Sequence, residues 1–143
     1  MRVTGNAGND EVHGGNGNDL DVRGGSGDDK IWGDLGDDEL FGDTGADTYN
    51  YKKGDGRDII VEKPDGNMNT LDLRSIPLKD ITESQSGTDK IITISDGGSI
   101  TIRDFFSQEA NWDIQKEIEV ITTTAIVITS NMYFIVPLAI LLL

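Results

Sequence analysis

The sequence predicts an all-β protein, with a coil of short strands and turns over residues 5–61 and a small antiparallel β cap over residues 62–110. A nine-residue phrase occurs five times within residues 5–50, and each copy carries one inward-facing apolar position. After the repeats, apolar and polar residues alternate, as they do in strands. A period of nine is too short for a helical repeat, which needs two helices, but it fits one turn and one short strand.

Each phrase divides into a six-residue turn and a three-residue strand. The copies read GNAGNDEVH, GGNGNDLDVR, GGSGDDKIW, GDLGDDELF and GDTGADTYN. We expect glycines at the first and fourth positions to supply backbone angles that a side chain would disfavour. The eighth position points inward because strand side chains alternate between faces; it holds Val12, Ile31, Leu40 and Tyr49. A degraded sixth copy, residues 53–61, keeps the aspartate Asp58.

Two irregularities in the phrases need a structural explanation. Leu20 is an extra residue in the second copy, and it would place Asp21 in the apolar slot. We expect a β-bulge in this strand, which would let the side chain of Val22 face inward instead. Asparagine or aspartate replaces the second-position glycine in three copies, and both residues tolerate left-handed backbone angles. These residues are Asn6, Asp34 and Asp43.

The repeats are too acidic and too poor in apolar residues to be held together by burial alone. Residues 5–50 contain twelve acidic and two basic side chains, and charge of one sign opposes compaction. Oxygen ligands without histidine or cysteine clusters favour calcium. The candidate ligands are the sixth-position aspartates Asp10, Asp19, Asp29, Asp38, Asp47 and Asp58, the fifth-position side chains of Asn9, Asn18, Asp28 and Asp37, and the turn carbonyls of Gly8, Gly17, Gly27 and Gly36. A solvated acidic surface without specific metal is the alternative.

The phrase matches the pattern GGxGxDxUx, and the chain resembles the C-terminal calcium-binding region of RTX (haemolysin-type) proteins, which are exported by type I secretion. YKKGDGRDIIVE is similar to the end of the family's repeat region, and SGTDKIITISDGGSITIRDFF is similar to the region that follows it. The resemblance implies a right-handed parallel β-roll in which two phrases complete one turn. Odd and even phrases would then stack on opposite sides.

This stacking implies which aspartates share calcium ions. The implied pairs are Asp10 with Asp29, Asp29 with Asp47, Asp19 with Asp38, and Asp38 with Asp58. Ala46 and Arg57 occupy the fifth position in the last two phrases, where they offer no side-chain oxygen. We therefore expect weaker binding at the last turns.

The segment after the repeats predicts further strands. Apolar residues alternate around Leu71, Ile92 and Ile100, and Asp96-Gly97-Gly98 is typical of a hairpin turn. We expect residues 90–95 and 99–105 to pair antiparallel. Phe105 and Phe106 would then cap the open end of the roll.

Composition narrows the function classes. A net charge of -14 argues against nucleic acid and anionic membrane surfaces as direct partners. The chain has no cysteine, and residues 1–10 lack the apolar stretch of a signal peptide. No HExxH, GxSxG or phosphate-loop pattern occurs, so we expect a module that is not an enzyme. The first repeat begins at Gly5, which suggests a fragment of a longer protein.

Three functions fit these observations. The first is a secreted, calcium-triggered folding module of a toxin-like protein, whose partners are calcium ions and the type I secretion apparatus. The second is a structural or adhesive repeat, and the third is an accessory module of a secreted enzyme. Residues 111–143 form an apolar tail, and the last 24 residues carry no charge. This tail could be an export signal with cap strands, a frameshifted or artificial end, or, least favoured, a membrane contact.

Overall fold

The computed structural model describes residues 1–107 and 111–117, and these residues form twelve β-strands and one short 3-10 helix. The repeat region contains β1 (Arg2–Ala7), β2 (Glu11–Asn16), β3 (Asp21–Ser26), β4 (Lys30–Leu35), β5 (Glu39–Thr44), β6 (Thr48–Asn50) and β7 (Arg57–Ile60). The following region contains β8 (Met68–Asp72), the helix Leu78–Asp80, β9 (Ile81–Ser86), β10 (Asp89–Ile94), β11 (Ser99–Ile102) and β12 (Asn111–Gln115).

Successive strands of the repeat region alternate between two parallel sheets. One sheet has the order β1-β3-β5-β7-β11-β10-β9, and the other has the order β12-β8-β6-β4-β2. The first, third and fifth phrases supply β2, β4 and β6, whereas the second, fourth and sixth supply β3, β5 and β7. The predicted parallel β-roll, with odd and even phrases on opposite sides, is confirmed.

The core of the roll is a narrow stack of apolar side chains with one contribution from each strand. Strand register places Val12 beside Ile31, Ile31 beside Tyr49, and Tyr49 beside Leu71. In the other sheet, Val22 lies beside Leu40. All of these side chains are buried. The eighth position of each phrase therefore faces inward, as the alternation predicts.

The insertion in the second phrase leaves the core undisturbed. Val22 is fully buried, and it pairs with Val3 on one side and Leu40 on the other. Leu20 is 69% exposed in the bend before β3. Val22 therefore takes the inward-facing position as predicted, but the extra residue lies in the turn before β3 rather than in a bulge of the strand.

The turns obtain their left-handed angles from the second and fourth positions. Asn6, Asp34 and Asp43 have φ values of 77°, 66° and 71°, which confirms the prediction for the second position. The fourth-position glycines also have positive φ, for example 117° at Gly8. The prediction was wrong for the first-position glycines, because none of the five has a positive φ. These glycines instead leave room for neighbouring side chains and backbone atoms.

The strands after residue 61 extend the roll as well as cap it. β8 pairs in parallel with β6, β11 with β7, and β12 with β8. The hairpin of β10 and β11 is antiparallel as predicted, and β9 adds a further antiparallel strand. Asn69 and Leu71 keep the spacing of a repeat aspartate and its apolar residue, which explains why the sheets continue past the expected boundary.

Aromatic side chains pack where the roll ends. Trp112 on β12 lies 5.8 Å from Tyr49 and 6.4 Å from Phe105, measured between ring centroids. Phe106 is 49% exposed and contacts Phe105 edge-on. Phe105 therefore covers the end of the core as expected, whereas Phe106 lies mostly in solvent.

The interpretations of the C-terminal tail fall mainly on residues 118–143, which lie outside the described residues. Its first part, β12, belongs to a sheet. Among the described residues, no helix combines the length and hydropathy required to span a bilayer.

Candidate metal centre

The sixth-position aspartates form two ladders of hydrogen bonds along the roll. In each pair, the backbone N–H of one aspartate donates to Oδ1 of the aspartate in the next turn on the same side. The donor–acceptor distances are 2.8 Å for Asp10 to Asp29, 2.8 Å for Asp29 to Asp47, 2.8 Å for Asp19 to Asp38 and 3.2 Å for Asp38 to Asp58. The structure thus brings together the four pairs that the stacking implied.

The second oxygen of these carboxylates has no partner. Oδ2 is buried without a hydrogen bond in Asp10, Asp19, Asp29, Asp38 and Asp47. The side chains of Asp29 and Asp47 are each only 1% exposed. A buried carboxylate oxygen without a donor or a cation is costly, so these oxygens are suited to a bound metal ion.

First-position glycines provide the room for these oxygens. A Cβ added at Gly33 would lie 2.6 Å from Oδ2 of Asp38 and 3.1 Å from Oδ2 of Asp58. A Cβ added at Gly5 would lie 2.8 Å from Oδ2 of Asp10. Any side chain at these positions would therefore intrude on the carboxylates.

Burial makes these aspartates poor anions in the absence of a cation. Burial, together with the charge of neighbouring carboxylates, raises the pKa of Asp47 to about 6 and that of Asp58 to about 8. The pKa values of Asp29 and Asp38 are also raised, mainly by burial. The site thus favours either protons or a positive ion beside its carboxylates.

Backbone carbonyls also lie between adjacent turns, beside the fourth-position glycines. The carbonyl oxygens of Gly8, Gly17, Gly27 and Gly36 lie where a Cβ would be built on the fourth-position glycine of the next turn. Within the described part of the chain, no three acidic or histidine side chains converge to hold a metal by themselves. The oxygens that lie between the turns are carboxylate and carbonyl oxygens, the kinds of ligand that calcium prefers.

The fifth-position side chains bind the turns to each other. The N–H groups of Asp28 and Asp37 donate to Oδ1 of Asn9 and Asn18, at 2.9 and 3.0 Å. Oδ1 of Asp28 and Oδ1 of Asp37 in turn accept from the N–H groups of Ala46 and Arg57, at 2.9 Å each. These oxygens are already engaged, and a ligand role for the four side chains stays a prediction.

Both aspartate ladders end at residues that sequence reasoning did not identify. Ile100 pairs with Asp58 in the strand register, so an apolar residue follows the last aspartate of one ladder. In the other ladder, Oδ1 of Asn69 accepts from the N–H of Asp47 at 2.9 Å, and Trp112 is next in register. The spacing of Asn69 and Leu71 was the available signal. Glu62 also contacts the last turn, where its Oε1 accepts from the N–H of Gly42. The sequence carried no signal for this contact, because a glycine occupies the corresponding position in the phrases.

A comparison with protein families agrees with this geometry. Residues 2–20 and 21–49 match the model of the RTX calcium-binding nonapeptide repeat, which comprises four copies. No curated protein matches the chain. Residues 2–49, which carry five of the six paired aspartates, are therefore a run of RTX calcium-binding nonapeptide repeats.

Proposed function

We propose that the chain is a calcium-triggered folding module of a secreted protein, and that it is exported unfolded and folds on meeting calcium outside the cell. The observation that carries the proposal is the row of buried carboxylates with unpartnered Oδ2 atoms. These carboxylates repel each other in the metal-free chain. Calcium would remove this repulsion and join adjacent turns.

The expected energies fit a switch of this kind. Extracellular calcium modules bind with dissociation constants of roughly 0.1 to 1 mM. At a calcium concentration tenfold above the dissociation constant, each site would stabilise the folded state by about 1.4 kcal/mol, and four independent sites would give roughly 6 kcal/mol. That is about the whole stability of a small domain. Scarce cytosolic calcium would leave the chain unfolded.

The partners of this module would be calcium ions and a type I secretion apparatus. The chain would act by folding and would perform no catalysis. RTX repeat proteins are generally secreted, which supports an extracellular location. A structural or adhesive repeat, or an accessory module of a secreted enzyme, would use the same calcium sites. The toxin-like role rests on the resemblance of the post-repeat segment to haemolysin-type proteins.

Circular dichroism of the chain in chelator, and then in millimolar calcium, tests the proposal. The spectrum should change from largely disordered to β-structured when calcium is added. Magnesium should substitute poorly, because it demands a small octahedral shell and retains its water. A chain that is fully β-structured in chelator and unchanged by calcium would refute the proposal.

A further inference from the structure

The segment 62–69 closes the last full turn of the repeats with side chains. Oε1 of Glu62 accepts from the N–H of Gly42 at 3.0 Å, and Oδ2 of Asp65 accepts from the N–H of Gly45 at 2.8 Å. One turn earlier, the N–H of Gly27 donates instead to a backbone carbonyl, that of Thr44, at 2.9 Å. At Gly45, a carboxylate therefore takes the place of the backbone carbonyl that accepts from Gly27, and a second carboxylate contacts Gly42.

Glu62 lies beside the unpartnered oxygen of Asp47. Oε1 of Glu62 and Oδ2 of Asp47 both lie against the position where a Cβ would be built on Gly42. Glu62 is 5% exposed and Asp47 is 1% exposed. Oδ2 of Asp47 has no hydrogen-bond partner, and neither carboxylate forms an ion pair with a described basic group. Two adjacent buried carboxylates need a positive charge between them.

Asn69 replaces the aspartate that would follow Asp47 along the roll, and this replacement gives Glu62 a role in the last turn. Its Oδ1 takes the ladder bond from the N–H of Asp47, as an aspartate does in the other turns. The second terminal atom of an asparagine is a donor nitrogen, which cannot bind a cation. The last turn therefore lacks the oxygen that the next aspartate would provide, whereas Glu62 brings a carboxylate beside Oδ2 of Asp47.

We propose that Asp47 and Glu62 hold a further calcium ion, in addition to those between the four aspartate pairs. The proposal rests on the proposed calcium-dependent function, and it places a ligand outside the nine-residue phrase. Tyr49 supports Glu62, because its hydroxyl donates to Oε1 from the core of the roll. The ion would join the last repeat to the segment that leads into β8.

Native mass spectrometry and calorimetric titration of the full chain with calcium test this site. Glu62→Gln preserves the hydrogen-bond acceptor and removes the charge. It should bind one calcium ion fewer than the unmodified chain. Glu117→Gln is the matched control, because Glu117 is exposed and distant in sequence from the turns, and it should bind the same number as the unmodified chain.

Two outcomes separate this proposal from the proposed function. If the unmodified chain binds no calcium, the proposed function fails. If Glu62→Gln binds as many ions as the unmodified chain, only the further site fails, and a shared proton joins the two carboxylates instead. Should Glu62→Gln not fold with calcium, Asn69→Asp decides the question: it should strengthen one site about tenfold by adding a ligand charge. An unchanged titration of Asn69→Asp overturns the proposal.

Discussion

The backbone N–H of Asp10 donates a hydrogen bond to Oδ1 of Asp29 over 2.8 Å, although the two residues are 19 positions apart. The bond joins two turns on the same side of the roll and needs no metal. Oδ2 of the same carboxylate remains without a partner. One aspartate therefore offers one oxygen to the backbone and one to a cation, and substitutions can separate the two roles.

We predict that Asp29→Asn weakens calcium binding more than Asp10→Asn does. Asp29 lies between two turns and would contribute to two ions, whereas Asp10 lies at the end of the ladder and would contribute to one. Asparagine keeps an oxygen that can accept the hydrogen bond from the N–H of Asp10. A loss of calcium affinity would therefore result from the missing carboxylate charge and not from a broken hydrogen bond between the turns. Calorimetric titration should show two ions lost for Asp29→Asn and one for Asp10→Asn. Equal losses would contradict the stacking order.

The first-position glycines give a second prediction. Gly33→Ala should reduce calcium affinity, because its Cβ would meet the Oδ2 atoms of Asp38 and Asp58. Gly54→Ala is the comparison: a Cβ at Gly54 meets no atom within 4 Å, but its φ of 93° is strained for alanine. That strain should cost about 1 kcal/mol of stability and leave the number of bound ions unchanged. Retention of every ion by Gly33→Ala would show that the glycine is not needed for space.

The raised pKa values predict that acid stabilises the metal-free roll. The folded pKa values of Asp47 and Asp58, about 6 and about 8, lie above their ordinary value of 3.8, so the folded chain binds more protons than the unfolded chain. Stability from these groups is therefore complete below about pH 4 and is lost as the pH rises through about 8. Calcium-depleted protein should therefore show more β structure by circular dichroism at pH 5 than at pH 8.

A matched variant assigns this pH dependence. Asp58→Asn should flatten the change in β structure between pH 6 and pH 8, because it removes the carboxyl group with the highest pKa, about 8. An exposed substitution such as Asp113→Asn should leave the slope unchanged. A metal-free chain whose stability rises with pH would contradict the prediction.

The sequence predicted most of the structure of the repeat region, because each nine-residue phrase adopts nearly the same turn and strand. Once the phrase was in register, counting residues gave the inward-facing positions such as that of Ile31. The pairing of Asp10 with Asp29 followed from the two-phrase turn that the resemblance to RTX repeats implies. The same two-phrase turn implied the alternation of strands between two sheets. Local rules were sufficient here because each turn contacts mainly its neighbours.

The ends of the roll were less predictable, because nothing there repeats. β1 begins three residues before the first phrase, and its Val3 lies beside Val22 in the strand register. Glu62 reaches the last turn only because the chain folds back over Gly42, a contact that spacing does not encode. The first-position glycines look like turn residues in sequence, and only the structure shows that a carboxylate excludes their side chains.

Two truncations of the C-terminal tail distinguish its contribution to folding from its contribution to export. Removal of residues 118–143 leaves β12 in place, so calcium-induced β structure should be retained. Removal of residues 111–143 also deletes β12 and Trp112, which lies 5.8 Å from Tyr49, and exposes the edge of β8. The melting temperature in calcium should therefore fall clearly only in the longer deletion.

Under the proposed function, both truncations should abolish export of a fusion protein from a cell with a type I secretion system. The fusion with the full chain should leave the cell more slowly when the medium is depleted of calcium, because folding outside would otherwise block backward movement. Measuring secreted and retained fusion protein for the three chains compares these effects directly. If the chain without residues 118–143 is exported as efficiently as the full chain, those residues do not carry the export signal, and the calcium sites retain their role in folding alone.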